Sequence, residues 1–351
     1  MPSQEAQLEA LKKVKKIGNA AARKLLAEGY TLFRLSHADP DRISEILGIS
    51  NRAAQEIIES AKSILIGEAG VLPKPFTAKD YEEFLDNRII WFSSGSKRID
   101  EIVGGGFRSS STVGLSGPQA TGKTQMILTT ITDCICNKGK YAMLIETELD
   151  TFDPKRPEQI AMARGWIDKY DPEKLIVVDA YKVKDVATQF YYYEVLYDMA
   201  KEHDWDVGVI AVDSFTAMFQ RKFKGRETFG DRKRELGRHL SFLEDMAKEF
   251  NATVMLTCQV IEVPVSPEES RGGMDTAAVR AQFGTNYMPW GGHTLRHTIG
   301  TWLSLEKTRS KNVWKAYLFD SSRVKLGETY FQITEAGITD LPEALYKRFA
   351  K

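Results

Sequence analysis

Little in this 351-residue chain suits an extracellular or membrane-embedded protein. Cysteine occurs three times, as Cys134, Cys136 and Cys258. That is too few, and too irregularly spaced, for a disulfide framework or a zinc site. Cys134 and Cys136 fall in an apolar helical stretch, where they read as small core residues. No apolar run approaches bilayer length, and Met1-Pro2-Ser3-Gln4-Glu5 lacks a secretory pattern. Net charge is also missing: 48 basic residues balance 48 acidic ones, so attraction to a polyanion must come from local patches. Neither a His/Cys metal cluster nor the residues of a nucleophilic hydrolase stand out. The remainder, 42% hydrophobic and 27% charged, is the composition of a soluble globular protein with room for one large and one small domain. The expected location is the cytoplasm.

What is present is led by Gly117-Pro118-Gln119-Ala120-Thr121-Gly122-Lys123-Thr124, which matches the phosphate-loop pattern G-x-x-x-x-G-K-[ST]. Thr112–Ser116 before it reads as a buried strand, and Gln125–Asn137 after it as a helix, the order the motif requires. Glycines let the backbone wrap an anion, and the helix N-terminus adds partial positive charge. Lys123 reaches β- and γ-phosphates in such loops, and the Thr124 hydroxyl joins a Mg²⁺ shell. The expected ligands are therefore ATP and Mg²⁺, with Gln125 at the loop's end.

Residues 1–66 read as short helices with two similar segments, Val14–Leu26 and Ile46–Ile58, each placing an Ile-Gly or Gly-Ile turn before an Ala-rich helix. That outlines paired helix-hairpin-helix units, whose turns aim N–H groups at DNA phosphates without reading sequence. A small bundle for protein contacts is the alternative, and ten basic against nine acidic residues over 1–70 does not decide between them. Residues 67–88, with Gly67, Gly70, Pro73 and Pro75, read as a linker that interrupts any helix. From 89 to 351, strands alternate with helices, as in an α/β core with a mostly parallel sheet. The expected strands are Tyr141–Glu146, Lys174–Asp179, Val207–Asp213, Ala252–Gln259, Ile299–Leu305 and Val313–Phe319. The clearest helices are Val186–Ala200 and Arg232–Phe250.

Asp213 ends an apolar strand and suits the Mg²⁺ shell. Glu148 is favoured as the residue that polarises the attacking water, with Glu146 its competitor. Gln259, ending another strand, suits a sensor of the γ-phosphate. Two loops are expected around these strands. One is Gln220–Arg234, within a stretch 219–238 holding eight basic and three acidic residues. The other is Ile261–Gly292, long and aperiodic, with Arg271, Arg280, Gln282, Asn286 and Trp290.

Taken together these residues resemble the RecA/RadA recombinase family, specifically archaeal RadA-type proteins. The markers run in order over nearly the whole chain: the Gly117–Gln125 loop, Glu146-Thr147-Glu148, Val212-Asp213-Ser214, Gly225-Arg226-Glu227, Thr257-Cys258-Gln259-Val260, Gly291-Gly292-His293-Thr294-Leu295 and Phe331–Ile338. The resemblance implies a RecA-like P-loop ATPase core behind a helix-hairpin-helix domain. It implies DNA-dependent ATP hydrolysis, filaments or rings of identical subunits on single-stranded DNA, exchange with double-stranded DNA, and a nucleoid-associated role with other recombination proteins. By position, Lys123 and Thr124 bind phosphate and Mg²⁺, Asp213 supports the metal, Glu148 activates water and Gln259 couples to the following loop. Arg226, Arg232, Arg271 and Arg280 become the DNA contacts, Arg156 the adenine flank, and Phe76 the subunit-docking residue.

The chain also departs from that pattern. Glu148-Leu149-Asp150-Thr151-Phe152 is one residue longer than the usual Glu-Gly-Thr-Phe and lacks its glycine. Lys79 stands where the docking motif Phe-x-x-Ala has alanine, Asp320-Ser321-Ser322-Arg323 lacks a proline, and Lys16 replaces a hairpin glycine. These changes keep two other readings open: an accessory recombinase paralogue with weak turnover and short assemblies, and a nucleotide-switched protein-interaction module of the same fold.

Overall fold

The computed structural model describes residues 4–68, 76–149, 151–225, 227–262 and 287–349. The chain divides into two compact units, Met1–Asn87 and Arg88–Lys351.

In the first unit, α1 (Gln4–Lys12), α2 (Asn19–Ala27), α3 (Leu32–Ser36), α4 (Pro40–Leu47) and α5 (Asn51–Glu68) enclose Leu11, Leu25, Leu35, Ile43, Ala54 and Ala61, all fully buried. Local chemistry fixes where the helices begin. Thr31 accepts the Arg34 N–H at 3.2 Å, and Asp39 accepts that of Asp41 at 3.0 Å beside Pro40. Two hairpins result, α1–α2 and α4–α5. Gly48 closes α4 at φ +66°, and Lys16 holds the corresponding turn of the first hairpin at φ +69°. A side chain in that left-handed region costs roughly 1–2 kcal/mol, so the turn is set by the surrounding packing. Lys16 pairs with Glu56 on α5, which holds the Glu56 carboxyl below its usual range, and the Lys15 N–H donates to Ser60 Oγ at 2.9 Å.

The expected break across 67–88 is only partly there. Helix α5 runs through Gly67 to Glu68, and α6 (Ala78–Arg88) follows. Gly70, Pro73 and Pro75 lie outside the described residues. After Pro75 neither glycine nor proline recurs until Gly95, and Thr77 Oγ1 caps the new helix by accepting the Asp80 N–H at 3.2 Å.

In the second unit, β1 (Trp91–Phe92) and β2 (Phe107–Arg108) form a small antiparallel pair around α7 (Lys97–Ile102). The main strands are β3 (Ser111–Ser116), β4 (Tyr141–Glu146), β5 (Leu175–Val178), β6 (Val207–Asp213), β7 (Thr253–Cys258), β10 (Thr301–Lys307), β11 (Trp314–Ser321), β12 (Gly327–Thr334) and β13 (Gly337–Asp340). They form one nine-stranded sheet in the order β13-β12-β11-β10-β3-β7-β6-β4-β5. Pairings from β10 to β5 are parallel and those from β10 to β13 antiparallel. A separate pair, β8 (Val260–Glu262) and β9 (Tyr287–Pro289), stands outside this sheet.

Helices α8 (Lys123–Lys138), α9 (Arg156–Ala163), α10 (Val186–Glu202), α11 (Ala217–Lys222) and α12 (Phe229–Glu249) complete the α/β architecture. Helix α8 is buried continuously from Met126 to Cys136, as a helix packed between sheet and neighbours must be. All three cysteines are free and buried, and burial pushes the Cys136 thiol up to about 11. Among the described residues no helix is long and apolar enough to cross a membrane.

One stretch differs from expectation, and two carry elements that the sequence left unassigned. Gln220–Arg234 is mostly helix, because α11 reaches Lys222 and α12 starts at Phe229, before the basic run that read as loop. Residues 292–298 are helical, and β12 and β13 follow strands that were anticipated.

Candidate active site

The register of the sheet gathers the site. Ser116 at the end of β3 lies opposite Cys258 of β7 and Ser304 of β10, and Glu146 ends β4 opposite Asp213 of β6. Ligands of parallel α/β sheets bind beyond such carboxyl ends. There the chain turns into the Gly117–Thr124 loop. A Cβ at Gly117 (φ +148°) would strike the Leu305 carbonyl, and one at Gly122 (φ +97°) would lie 2.8 Å from Ile333. Only glycine lets the loop run this close to β10 and β12. Ala120 is also left-handed (φ +59°), and Thr121 Oγ1 donates to the Pro118 carbonyl at 2.9 Å.

Lys123 curls back over the loop, donating to the carbonyls of Gly117 and Pro118 at 2.8 Å each. Burial lowers its pKa, while the Asp213 and Glu148 carboxylates act to raise it. Thr124 Oγ1 donates to Asp213 Oδ2 at 2.6 Å, and Thr257 Oγ1 donates to Oδ1 at 2.5 Å. Asp213 is thus a buried carboxylate fixed between two hydroxyls. Among the described residues no group of three or more His, Cys, Asp or Glu could hold a metal by itself. One hydroxyl and one carboxylate instead fit Mg²⁺, which takes few protein ligands and completes its shell with phosphate oxygens and water.

The two rival glutamates have different surroundings. Glu146 Oε1 accepts the N–H groups of Thr151 and Phe152 at 3.1 and 2.8 Å and the Thr151 hydroxyl at 2.7 Å. It caps the loop that carries the extra residue. Glu148 Oε1 instead accepts Nε2–H of Gln259 at 2.5 Å. Gln259 is held in turn by its own N–H on Thr216 Oγ1 at 3.0 Å, and its carbonyl accepts the Trp290 N–H at 2.9 Å. Arg156 lies at the start of α9, where it donates to Gln125 Oε1 at 2.9 Å and to the carbonyls of Thr334 and Glu335 at 2.7 and 3.0 Å. Burial lowers its pKa.

In the sequence Thr257 figures only as part of a family marker, with no role of its own. Strand alternation signals it, since a residue two before Gln259 shares its face of the sheet.

Beyond Gln259 the segment opens through β8 and β9, which pair Val260 with Pro289, Ile261 with Met288 and Glu262 with Tyr287. Arg271, Arg280, Gln282 and Asn286 lie outside the described residues, as does Arg226. Arg232 is in the first turn of α12, its guanidinium 4.9 Å from the Phe229 ring centroid and 5.1 Å from that of Trp290. Phe76 is exposed and stacks on Phe84, ring centroids 5.0 Å apart, with Tyr81 at 6.0 Å.

The family model described as Rad51 matches residues 86–341. The chain belongs to the Rad51 family. A second model, the SAM-like helix-hairpin-helix tandem, matches residues 8–63, the hairpin-bearing region. The DNA repair and recombination protein RadA of Aeropyrum pernix is 32% identical over 333 residues, covering 92% of this chain and 94% of that protein. RadA proteins of two Methanococcus maripaludis strains, C7 and C6, are each 29% identical over 343 residues, covering 92% of this chain and 97% of theirs. Rad51-family membership places the second unit among RecA-like, nucleotide-binding ATPases of DNA recombination and repair, behind a helix-hairpin-helix tandem.

Proposed function

We propose that this chain is a DNA-dependent ATPase that assembles with copies of itself on single-stranded DNA and exchanges strands with a homologous duplex. The observation that carries the reading is the hydrogen bond from Gln259 to Glu148, which joins a carboxylate at the nucleotide edge to the strand leading toward the DNA-facing segment. Gly117–Thr124 wraps the phosphates of ATP. The Lys123 ammonium moves from the loop carbonyls onto the β- and γ-phosphates, and Arg156 presents its planar guanidinium beside the base. Thr124 and Asp213 would hold Mg²⁺, which when bound would neutralise charge on the phosphates. Glu148 orients the attacking water and accepts its proton on a carboxylate oxygen. Because Gln259 shares that carboxylate, contacts to the γ-phosphate compete with the Gln259–Glu148 bond and shift the chain that follows. Arg226, Arg232, Arg271 and Arg280 serve the DNA phosphates. Phe76 docks on a neighbouring subunit.

Steady-state phosphate release with and without single-stranded DNA tests this directly. Stimulation is expected in the native chain, with neither basal nor stimulated activity in Lys123→Ala. Absence of stimulation at low salt, where phosphate contacts are strongest, overturns it.

One feature favours a second reading. The docking stretch carries Lys79 in place of a small apolar residue, and the Phe76 ring stacks on Phe84 of the helix that follows it. That favours short assemblies and an accessory role. Long regular filaments in electron micrographs with ATP and single-stranded DNA would remove it.

A further inference from the structure

The ring of Phe229 is 58% exposed at the start of α12, although the residues around it in the chain are overwhelmingly polar. Arg232 lies over it and also over Trp290, so one guanidinium, itself set against an indole, backs a phenyl ring that is mostly in solvent. Lys224, Lys233 and Arg234 are exposed nearby in sequence, and residues 219–238 carry eight basic against three acidic side chains. A lone aromatic ring in a basic field makes a poor protein-docking patch, which needs contiguous apolar area. It suits an unpaired nucleobase, because every base has a π-face and its phosphates find the surrounding cations.

We propose that Phe229, backed by Arg232, whose guanidinium also meets Trp290, is a stacking platform for an exposed base of single-stranded DNA. It adds affinity that phosphate contacts alone do not give, and it favours unpaired over duplex DNA. This rests on the single-strand-binding reading above. Trp290 donates its N–H to the Gln259 carbonyl, so the platform is anchored one residue from the nucleotide edge.

The test is fluorescence anisotropy of the full chain with a non-hydrolysable ATP analogue and Mg²⁺. The probes are a labelled oligothymidylate and an abasic strand of equal length. The native chain should bind the oligothymidylate more tightly. Phe229→Ala should weaken that binding about tenfold while changing abasic binding less than about twofold, and Phe229→Trp should restore it. Equal binding of the two strands by the native chain, or equal weakening of both by Phe229→Ala as a self-association contact would give, overturns the platform and leaves the DNA reading standing. No binding to either strand removes both.

Discussion

The edge proposed for nucleotide and the edge proposed for DNA lie on either side of Gln259 in the second unit and are built from different forces. At the nucleotide edge, Asp213, Thr124, Thr257, Glu146 and Lys123 are buried or partly buried and joined by short hydrogen bonds, most with a charged partner. Such bonds are directional and costly to leave half-made. On the other side the described contacts are rings and a guanidinium, with Phe229 largely in water. Those contacts are individually weak and tolerate movement. The difference teaches where precision is needed. Positioning water at phosphorus requires a fixed carboxylate, whereas holding a nucleic acid strand requires charge and adaptable surface.

Substitutions sharpen or break that contrast. The largest effect is expected for Lys123→Ala, with phosphate release falling at least about a hundredfold because a charge aimed at the transferring phosphoryl group is gone. Next come the two glutamates. Glu148→Gln should cut turnover by a similar factor while leaving nucleotide binding and melting temperature in place. Glu146→Gln should lower stability by about 1–3 kcal/mol, since the three donors of the 151–152 turn lose a charged acceptor. Thermal melts alongside turnover of the folded protein would separate them. Loss of turnover without loss of stability in Glu146→Gln would break the contrast.

Arg232→Ala should act on the other edge alone. Single-strand affinity should fall several-fold and the salt dependence of log K should flatten by about 0.7, with basal hydrolysis unchanged.

The smallest effect tests the helix that carries Arg232. His239, also on α12, is fully buried among Phe190, Tyr193, Phe215 and Phe219, and neither ring nitrogen has a hydrogen-bond partner. Burial holds its pKa well below the usual value, with Arg238 and Lys222 acting in the same direction. The unfolded chain therefore binds the proton more readily, and stability falls as pH drops below about 6.5. Melting curves from pH 7.5 to 5.5 should show a shallower decline in His239→Leu. An unchanged slope would show that His239 is not the group responsible.

Much of this was legible in the sequence where one physical rule acted alone. Tyr141–Glu146 and Val207–Asp213 are strands over just those residues, because unbroken apolar runs ending in an acid leave little choice. The 220–234 stretch misled, because a basic run in solvent looks alike whether helical or not, and only the packing of Leu236, Leu240 and Leu243 on one face reveals α12. Strand β12, Gly-Glu-Thr-Tyr-Phe-Gln-Ile-Thr, mixes polar and apolar residues without a continuous apolar run, and it is a strand because β11 and β13 flank it. The two glutamates differ in their hydrogen-bond partners, at residues 151 and 152 for Glu146 and at Gln259 for Glu148, a distinction that periodicity does not encode. The hairpin turn at Lys16 shows the converse, a residue adopting a glycine conformation because its neighbours require it.

Strand β3, which feeds the phosphate loop, is flanked in the sheet by β7 and β10, both encoded far downstream. During synthesis the strand therefore leaves the ribosome without either neighbour, and the loop gains its Leu305 support only after most of the chain has been made. Such distant parallel pairings close slowly. The short-range hairpins of the first unit have no such wait, so its helices can close while the phosphate-loop sequence still lacks its neighbouring strands, the situation in which unpaired strand edges favour aggregation.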